Sequence, residues 1–186
     1  MINTINNIIK NDIYRYYEKD KLTLKERIFM PPELKMIITF RKTRYYNSKN
    51  SILKYYYKYK NTKLNRKYLS QLNYNTEIGK GLYIGHIGNI YINPKVMLGK
   101  NINIAQGVTI GQTNRGEKKG CPDIGNNVWI GANATIVGKI KIGDDVLIAP
   151  NSYVNIDIPS HSIVIGNPAQ IHYRENATEG YINRKI

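Results

Sequence analysis

The sequence is short of several residue types, and each shortage excludes a class of protein. A single cysteine among 186 residues leaves no intrachain disulfide framework and fits a reducing compartment. Apolar runs are short, and none approaches the roughly 20 residues of a membrane-spanning helix. The first residues lack both the basic start and the apolar stretch of a secretory leader. These absences predict a soluble cytoplasmic protein.

Acidic residues are scarce as well, since 13 Asp and Glu stand against 28 Lys and Arg, a formal net charge of +15. The imbalance lies mainly in residues 1–70, where 17 basic and 5 acidic residues leave a net charge of +12. The same stretch holds 10 of the 16 tyrosines. Such a surface can contact an anionic membrane, so peripheral contact through residues 1–70 at the inner face of the membrane is one hypothesis. A helical cap on the open end of the remaining fold is the simpler interpretation.

The N-terminal region carries apolar residues at helical spacing. The first such series is Ile2, Ile5, Ile9, Ile13 and Tyr16. Pro31 and Pro32 then mark a helix start, because proline suits the first turn of a helix and not its interior. Residues 32–46 and 51–70 predict two further helices, the last with Ser51 as a candidate N-cap. The sequence therefore predicts an N-terminal α-helical region.

Downstream, the sequence repeats a pattern of six residues. Aliphatic residues recur at every sixth position on both sides of one interruption, and a second small or apolar residue follows four positions after most of them. The first residues of these repeats are Ile92, Leu98, Ile104, Ile110, Ile124, Ile130, Ile136, Ile142, Ile148 and Val154. A helix would repeat about every 3.6 residues and a simple strand about every 2, so neither explains the pattern. With Gly, Asn and Asp between the aliphatic residues, it predicts a mostly β fold, a parallel β-solenoid whose stacked coils bury their aliphatic columns.

The interruption spans residues 111–123, which are rich in glycine and lysine and include Cys121. We call this interruption the extended arm. The chain then divides into a helical, basic, tyrosine-rich region (1–70), a repeat domain that carries the arm (71–173) and a C-terminal tail (174–186).

Among the three histidines, His86 is the candidate for chemistry. It occupies the third position of a repeat, where a side chain points away from the buried column, and glycines stand at positions 85 and 88. An imidazole that titrates near neutrality can remove the proton of an alcohol as its oxygen attacks an acyl group. His161 and His172 lie at unrelated phases of the repeat, so we predict structural roles for them and no metal site.

Four stretches carry a resemblance to a known family: GLYIGHIGNIYINP (81–94), GVTIGQTNRG (107–116), GCPDIGNNVWIGANATIVG (120–138) and IGNPA (165–169). They resemble the hexapeptide acyltransferases, in the serine O-acetyltransferase-like branch found in surface polysaccharide biosynthesis. The resemblance implies a left-handed parallel β-helix, a homotrimer, and acetyl-CoA bound between neighbouring subunits as co-substrate. It also implies that His86 is the catalytic base and that the arm folds over the site of the adjoining subunit.

The resemblance assigns the residues that line this site. It places the thioester and the pantetheine arm of acetyl-CoA along Gly111, Gln112, Thr113, Ala132 and Ala149. It places the acceptor pocket at Gln71, Asn89 and Cys121. A covalent role for Cys121 is not expected, because no basic group lies beside it in the sequence and the family transfers the acetyl group directly.

Two departures from the serine enzymes bear on the acceptor. Those enzymes carry an Asp fifteen residues before the histidine, where this chain has Gln71. They also carry Arg-His before the proline of the arm, where Gly120 and Cys121 precede Pro122. Loss of the Arg removes a natural partner for a substrate carboxylate. We therefore predict an acetyl-CoA-dependent O-acetyltransferase that acts on a sugar hydroxyl of a capsular or exopolysaccharide glycan or its precursor.

Two alternatives remain open at this point. The first is a serine O-acetyltransferase, which turnover with serine would reveal directly. The second is a non-catalytic trimeric module whose basic N-terminal region binds a polyanion, either nucleic acid or an anionic membrane. The leading interpretation includes no nucleic-acid partner.

Overall fold

The computed structural model describes residues 2–49 and 51–186, with side chains described from Ile5 onward, so that the side chain of Ile2 lies outside this part. Four helices come first within these residues: α1 (Ile2–Tyr17), α2 (Leu24–Ile28), α3 (Pro32–Ser48) and α4 (Leu53–Lys67). The sequence predicted α1, α3 and α4 but not the short α2, which a reciprocal capping box between Thr23 and Glu26 holds. Ser51 precedes the N-cap residue of α4, and its hydroxyl accepts a hydrogen bond from the Leu53 amide at 3.3 Å.

Short strands follow the helices. Their bounds are β1 (Gln71–Leu72), β2 (Glu77–Ile78), β3 (Tyr83–Ile84), β4 (Tyr91–Ile92), β5 (Met97–Leu98), β6 (Asn103–Ile104), β7 (Thr109–Gly111), β8 (Asp123–Ile124), β9 (Val128–Ile130), β10 (Thr135–Val137), β11 (Lys141–Ile142), β12 (Val146–Ile148), β13 (Tyr153–Val154), β14 (Ser162–Ile165) and β15 (Gln170–Tyr173).

These strands form three sheets, which are the faces of a β-helix of about five turns. Face 1 is β1-β4-β7-β10-β13, face 2 is β2-β5-β8-β11, and face 3 is β3-β6-β9-β12-β14-β15. Each of the first four coils adds one parallel strand to each face. The fifth coil adds β13 and β14, with a single bridge from Ile158 to Ile142 on face 2, and β15 turns back antiparallel to β14. The predicted parallel β-helix is confirmed.

The aliphatic columns form the core of the solenoid. On face 3, Ile84, Ile104, Ile130 and Ile148 stack in register and are at most 1% exposed. Burying one such side chain contributes roughly 1.5–3 kcal/mol. Since the strands are mostly two or three residues long, the stacked columns stabilise the coils more than any single ladder of hydrogen bonds does.

Left-handed backbone positions turn the chain at two of the three edges. At the edge between faces 2 and 3, positive φ angles occur at Gly81, Asn101, Asn127, Asp145 and His161. At the edge between faces 3 and 1, they occur at Asn89, Gly107, Asn133 and Asn151. Glycine and asparagine tolerate this conformation better than other residues. The polar residues between the aliphatic positions therefore set the corners.

Helices α1 and α3 close the open end of the solenoid with a buried ion pair. Arg41 donates from Nε to Asp12 Oδ2 at 2.8 Å and from Nη1 to the Ile78 carbonyl at 2.6 Å. Asp12 Oδ1 accepts from the amides of Gly81 and Leu82, both at 2.9 Å. Burial raises the pKa of Asp12, and its contacts with Arg41 and the two amides oppose that change. The Asp12–Arg41 pair thus gives backbone groups of the first coil the hydrogen-bond partners that a preceding coil would otherwise provide.

The C-terminal tail packs along face 3 and returns to the helices. Asp145 accepts hydrogen bonds from the amide and the hydroxyl of Thr178 at 3.1 and 2.6 Å. The Tyr181 ring then packs edge-on against Trp129 with 4.9 Å between centroids. Further on, Arg184 donates to a carbonyl oxygen at the end of α1 at 2.6 Å. The tail thus connects the last coil to the helical region.

None of the helices in the described part of the chain combines the length and the apolarity needed to cross a bilayer.

Candidate active site

An insertion of two residues, 86 and 87, interrupts the stacking of the first coil on the second. The Gly85 amide donates to the Ile104 carbonyl at 3.0 Å, and the Gly107 amide donates to the Gly88 carbonyl at 3.0 Å. Over the same stretch the second coil passes directly from residue 105 to residue 106. The first coil must therefore accommodate two extra residues at the edge between faces 3 and 1, which we call the histidine edge.

The two inserted side chains point in different directions. Ile87 is half-buried and packs against the core, whereas His86 is exposed. Burial of the isoleucine fixes the insertion to the solenoid and leaves the imidazole at the surface. This placement agrees with the prediction that the side chain of His86 leaves the column.

Two predicted acceptor residues, Asn89 and Gln71, lie on or beside the histidine edge. Asn89 is exposed on the histidine edge with a φ of 52°, a position that also shapes the corner. Gln71 is exposed at the start of face 1, and its backbone N–H donates to the Ile90 carbonyl at 2.7 Å. No hydrogen bond within the described part of the chain joins the Gln71 side chain to His86. Orientation of the imidazole by Gln71 therefore stays a prediction.

Ala132 and Ala149 follow on the histidine edge in later coils. The Asn151 amide donates to the Ala132 carbonyl at 2.9 Å, so these corners stack directly. The Ala149 amide is engaged with the Val164 carbonyl at 2.8 Å and is not available to a ligand. In the described part of the chain the Ala132 amide has no acceptor. Of these two predicted contacts with acetyl-CoA, only Ala132 offers an unused backbone donor.

Residues 111–123 form the arm. The arm leaves the solenoid at the edge between faces 1 and 2, and we call this edge the arm edge. Thr113 and Gly120 pair across a short hairpin, with N–H to O=C distances of 3.0 and 2.9 Å. Gly120 has a φ of 141°, and a Cβ there would lie 3.0 Å from that of Lys139. The Lys118 ammonium reaches the Asn155 carbonyl at 2.8 Å. The arm therefore rests on later coils of its own chain along the arm edge.

Cys121 lies half-buried at the base of the arm. Its thiol is 4.0 Å from Gln112 Oε1, a long contact for sulfur. Burial raises the pKa of the Cys121 thiol, although Lys95 acts in the opposite direction. A thiol that stays protonated at neutral pH is a poor nucleophile. A covalent intermediate at Cys121 is therefore not favoured, and its place in an acceptor pocket stays a prediction.

The predicted residues occupy two separate edges of one chain. His86, Asn89, Ala132 and Ala149 lie on the histidine edge, with Gln71 beside it. Gly111, Gln112, Thr113 and Cys121 lie on the arm edge. Face 1 separates the two groups and presents an outward column of Gln71, Tyr91, Thr109, Thr135 and Tyr153. A single copy therefore does not bring the arm to His86.

Within the described residues, no group of three or more His, Cys, Asp or Glu side chains could hold a metal ion. His161 instead contacts Asp145, with 3.0 Å between Nδ1 and Oδ2. His172 pairs with Ile163 in the β14–β15 hairpin. Both placements agree with structural roles for these histidines.

Sequence reasoning missed two side chains that contact the backbone on either side of His86. The Tyr16 hydroxyl bonds to Ile84, and the Glu33 carboxylate accepts from the Ile87 amide at 3.3 Å. Both come from helices more than 50 positions earlier in the chain. The only sequence signal was an acidic residue directly after Pro32, at the predicted helix start.

The family model described as Bacterial transferase hexapeptide (six repeats) matches residues 122–155. Among curated proteins, a serine acetyltransferase of Staphylococcus aureus strain Mu50 is 41% identical over 104 residues, which are 56% of this chain and 49% of that protein. Serine acetyltransferase 4 of Arabidopsis thaliana is 40% identical over 94 residues, 50% of this chain and 26% of that protein. The chain thus spans about half the length of the staphylococcal relative.

Residues 122–155 thus match a hexapeptide-repeat family model, and the chain has serine acetyltransferase homologues. Solved structures agree. The serine acetyltransferase of Neisseria gonorrhoeae in complex with serine superposes with a TM-score of 0.74 at 27% identity, over 91% of this chain and 69% of that one. The apoenzyme of soybean serine acetyltransferase has a TM-score of 0.76 at 24% identity over the same shares, a likeness of fold.

The predicted sugar acceptor, and with it a role in polysaccharide biosynthesis, is wrong, because these relatives are serine acetyltransferases. The prediction of a sugar depends on the missing Arg before Pro122, a natural partner for a substrate carboxylate. The hairpin of the arm carries other cations, however, and the side chains of Arg115 and Lys119 are exposed on it. A carboxylate can therefore find a cation in the arm without an arginine at position 120.

Proposed function

We propose that the protein is an acetyl-CoA-dependent O-acetyltransferase whose acceptor is the hydroxyl group of serine. The observation that carries the proposal is the position of His86, exposed on an edge of the β-helix at a two-residue insertion. The serine acetyltransferase relatives support the acceptor, and a serine acetyltransferase of this fold has been solved in complex with CoA.

His86 acts as general base in this proposal. It removes the proton of the serine hydroxyl as the oxygen attacks the thioester carbonyl of acetyl-CoA. When the carbon–sulfur bond breaks, His86 returns that proton to the departing thiolate, so the products are O-acetylserine and CoA. General base catalysis of this kind typically contributes about 10²- to 10⁴-fold. The unused Ala132 amide on the same edge is a donor for the thioester end of the co-substrate.

The arm supplies the charge that serine requires. The carboxylate of the acceptor needs a cation or several donors once it leaves water. Arg115 and Lys119 are exposed on the hairpin and free to turn toward a neighbouring molecule. We therefore assign acceptor recognition to the arm, together with the predicted pocket residues Gln71, Asn89 and Cys121.

The site requires a homotrimer in this account. The arm rests on its own chain along the arm edge, while His86 lies on the histidine edge, so the two meet only when a second copy brings its arm edge to the histidine edge of the first. A head-to-tail contact between unlike edges closes into a ring when the rotation between copies fits. For a three-sided solenoid, three copies make such a ring with three equivalent sites.

The function is tested by incubating purified protein with acetyl-CoA and serine and following the release of free thiol. We expect serine-dependent release, and a loss of about 10²-fold or more in His86→Ala. His172→Ala is the matched control, because that side chain is also exposed and lies outside the proposed site. Full activity in His86→Ala, or no turnover of serine by the unmodified protein, would contradict the proposal.

We also propose peripheral contact with anionic lipid, through an apolar surface on α2. Leu24, Ile28 and Phe29 are 75%, 68% and 75% exposed, although a capping box holds this helical turn in place. Lys21 and Lys25 lie beside them, in a region with a net charge of +12. Apolar side chains within a cationic surround suit the interface of an anionic bilayer. A stable protein interface uses roughly 20–30 residues a side, which this surface does not provide.

Sedimentation with vesicles tests this contact. We expect binding to vesicles that contain phosphatidylglycerol, weaker binding to phosphatidylcholine alone, and loss of binding when Leu24, Ile28 and Phe29 are all changed to Ser. The control changes Ile165, Ile171 and Tyr173 to Ser, since these exposed side chains lie at the other end of the solenoid. Equal behaviour of the two triple variants, or a change of oligomeric state in place of lipid binding, would overturn the contact.

A further inference from the structure

Side chains from two helices hold the backbone on either side of His86. The Tyr16 hydroxyl donates to the Ile84 carbonyl at 2.8 Å and accepts from the Ile84 amide at 3.0 Å. On the other side, Glu33 Oε1 accepts from the Ile87 amide at 3.3 Å. The residue two before the imidazole and the residue one after it are therefore both fixed by the helical region.

These contacts exist because β3 is the first strand of face 3 and lies at the edge of that sheet. Its upper side pairs with the second coil, through contacts such as the Gly85 amide on the Ile104 carbonyl at 3.0 Å. Its lower side has no coil beneath it, and a buried amide without an acceptor would destabilise the fold. The two-residue insertion adds the amide of exposed His86 and the part-buried amide of Ile87, and the second coil has no equivalent residue to pair with the latter. Glu33 provides that acceptor.

We propose that Glu33 is a positioning residue for His86. By holding the amide of Ile87, it fixes the angle at which the preceding residue leaves the edge and thus the position of the imidazole. The inference rests on the proposed function, because it assumes that His86 is the general base. Misplacement of a reacting group by about 1 Å can lower a rate by about 10²-fold, so a contact one residue away can control turnover without touching substrate.

Glu33 also has an ordinary structural role that the test must separate from positioning. It lies in the first turn of α3, where a carboxylate interacts favourably with the positive end of the helix. Two conservative substitutions separate the roles. Glu33→Gln keeps the reach and an acceptor oxygen but removes the charge. Glu33→Asp keeps the charge at the helix start but is one methylene shorter, so it withdraws the acceptor from the Ile87 amide.

The experiment measures kcat, both KM values and the midpoint of thermal unfolding for these two variants and for Glu33→Ala. Positioning predicts that Glu33→Gln stays within about threefold of the unmodified kcat, while Glu33→Asp and Glu33→Ala lose about 10-fold or more, with KM values changed by less than about threefold. The matched control is Arg44→Ala, which removes hydrogen bonds from α3 to the first coil at Asn75 and Thr76, away from His86. It should lower the unfolding midpoint and leave kcat nearly unchanged.

Two outcomes would overturn the inference. One is a kcat that falls in Glu33→Gln but is retained in Glu33→Asp. That result would show that the charge at the start of α3 matters and the contact with the Ile87 amide does not. The other is a loss of kcat in Arg44→Ala as large as that in Glu33→Asp, which would make the effect general destabilisation. Failure of the proposed function is distinguishable, because His86→Ala would then retain full activity or the unmodified protein would not turn over serine. If Glu33→Ala does not fold, the comparison of Glu33→Gln with Glu33→Asp decides the question alone.

Discussion

At the scale of single residues, the two inserted side chains explain why His86 is available for chemistry. Ile87 packs against the core and anchors the insertion, and the imidazole is left exposed. The phase of the repeat predicted the outward direction of His86. It could not predict what holds the insertion, because Glu33 and Ile87 are 54 positions apart and nothing in either local pattern connects them.

Cys121 should be dispensable for acetyl transfer. Burial raises the pKa of its thiol, so at pH 7 to 8 it stays neutral and does not act as a nucleophile. We expect Cys121→Ala to keep kcat/KM for acetyl-CoA within about threefold of the unmodified protein, measured by thiol release. A loss of 10²-fold or more in a folded Cys121→Ala variant would show that the thiol takes part in the reaction.

The exposed cations of the arm should control the affinity for serine. A hydrogen bond to a charged group contributes roughly 1.5–3 kcal/mol, so losing the cation that meets the carboxylate should raise KM for serine by about 10-fold or more. We expect this in Arg115→Ala, in Lys119→Ala or in both, with a smaller change in KM for acetyl-CoA. Lys100→Ala is the control, since Lys100 is exposed on a corner outside the arm. An unchanged KM for serine in both arm variants would contradict arm-based recognition.

At the scale of elements, the helical region and the solenoid share one buried ion pair. Asp12 is fully buried, and its partner Arg41 is 2% exposed. Removing one member of such a pair typically destabilises a protein by about 3–5 kcal/mol, because the other charge stays buried without compensation. We expect a loss of this size in Asp12→Ala, measured by denaturant unfolding.

The control for that loss is Asp20→Ala. Asp20 pairs with Lys10 at 3.3 Å, but both side chains are largely exposed, and such pairs contribute about 0–1 kcal/mol. Similar losses in Asp12→Ala and Asp20→Ala would show that the buried pair does not secure the cap.

Docking of the C-terminal tail should depend on pH through Asp145. Burial acts to raise the pKa of this carboxyl, but hydrogen bonds from Thr178, His161 and Ala177 outweigh it and lower the pKa below the usual value. The pKa of Asp145 is thus lower in the folded protein than in the unfolded chain, where an Asp titrates near 3.9. The ionised carboxylate therefore stabilises the docked tail above that value, and this contribution is lost as the pH falls through the folded pKa. The tail should therefore detach from face 3 below about pH 4.

Trp129, the single tryptophan of the chain, reports this step because Tyr181 of the tail packs against it. We expect its fluorescence to change in acid before the solenoid unfolds, and Asp145→Asn to show the detached signal already at pH 7. A fluorescence signal that stays constant until global unfolding would exclude Asp145 as the group that holds the tail.

The repeat made most of the elements predictable, and the exceptions have physical causes. Every leading residue of the repeats from Ile92 to Val154 is buried, because a period of six fixes which side chains face inward. Helix α2 was missed because five residues are too few to show a helical period, and its stability comes from the contact between Thr23 and Glu26. The prediction of a sugar acceptor was wrong because it depended on a single position of the arm. Cations elsewhere in the same hairpin offer the same charge.

At the scale of the whole molecule, one chain holds His86 and the arm on different edges of the solenoid. The arm pairs with itself at Thr113 and Gly120 and rests against Asn155 of its own chain. His86 lies across face 1, on the other edge. The account therefore places the histidine of each site on one copy and the arm on the next.

Mixing two inactive variants tests this claim most directly. His86→Ala lacks the base, and a variant without residues 114–119 lacks the hairpin tip. Co-refolded at equal amounts, they should regain about a quarter of the unmodified activity per site, since random trimers pair an intact histidine with an intact neighbouring arm in about one site in four. If the mixture is as inactive as either variant alone while sedimentation shows mixed trimers, both groups must come from one chain and the shared site is contradicted.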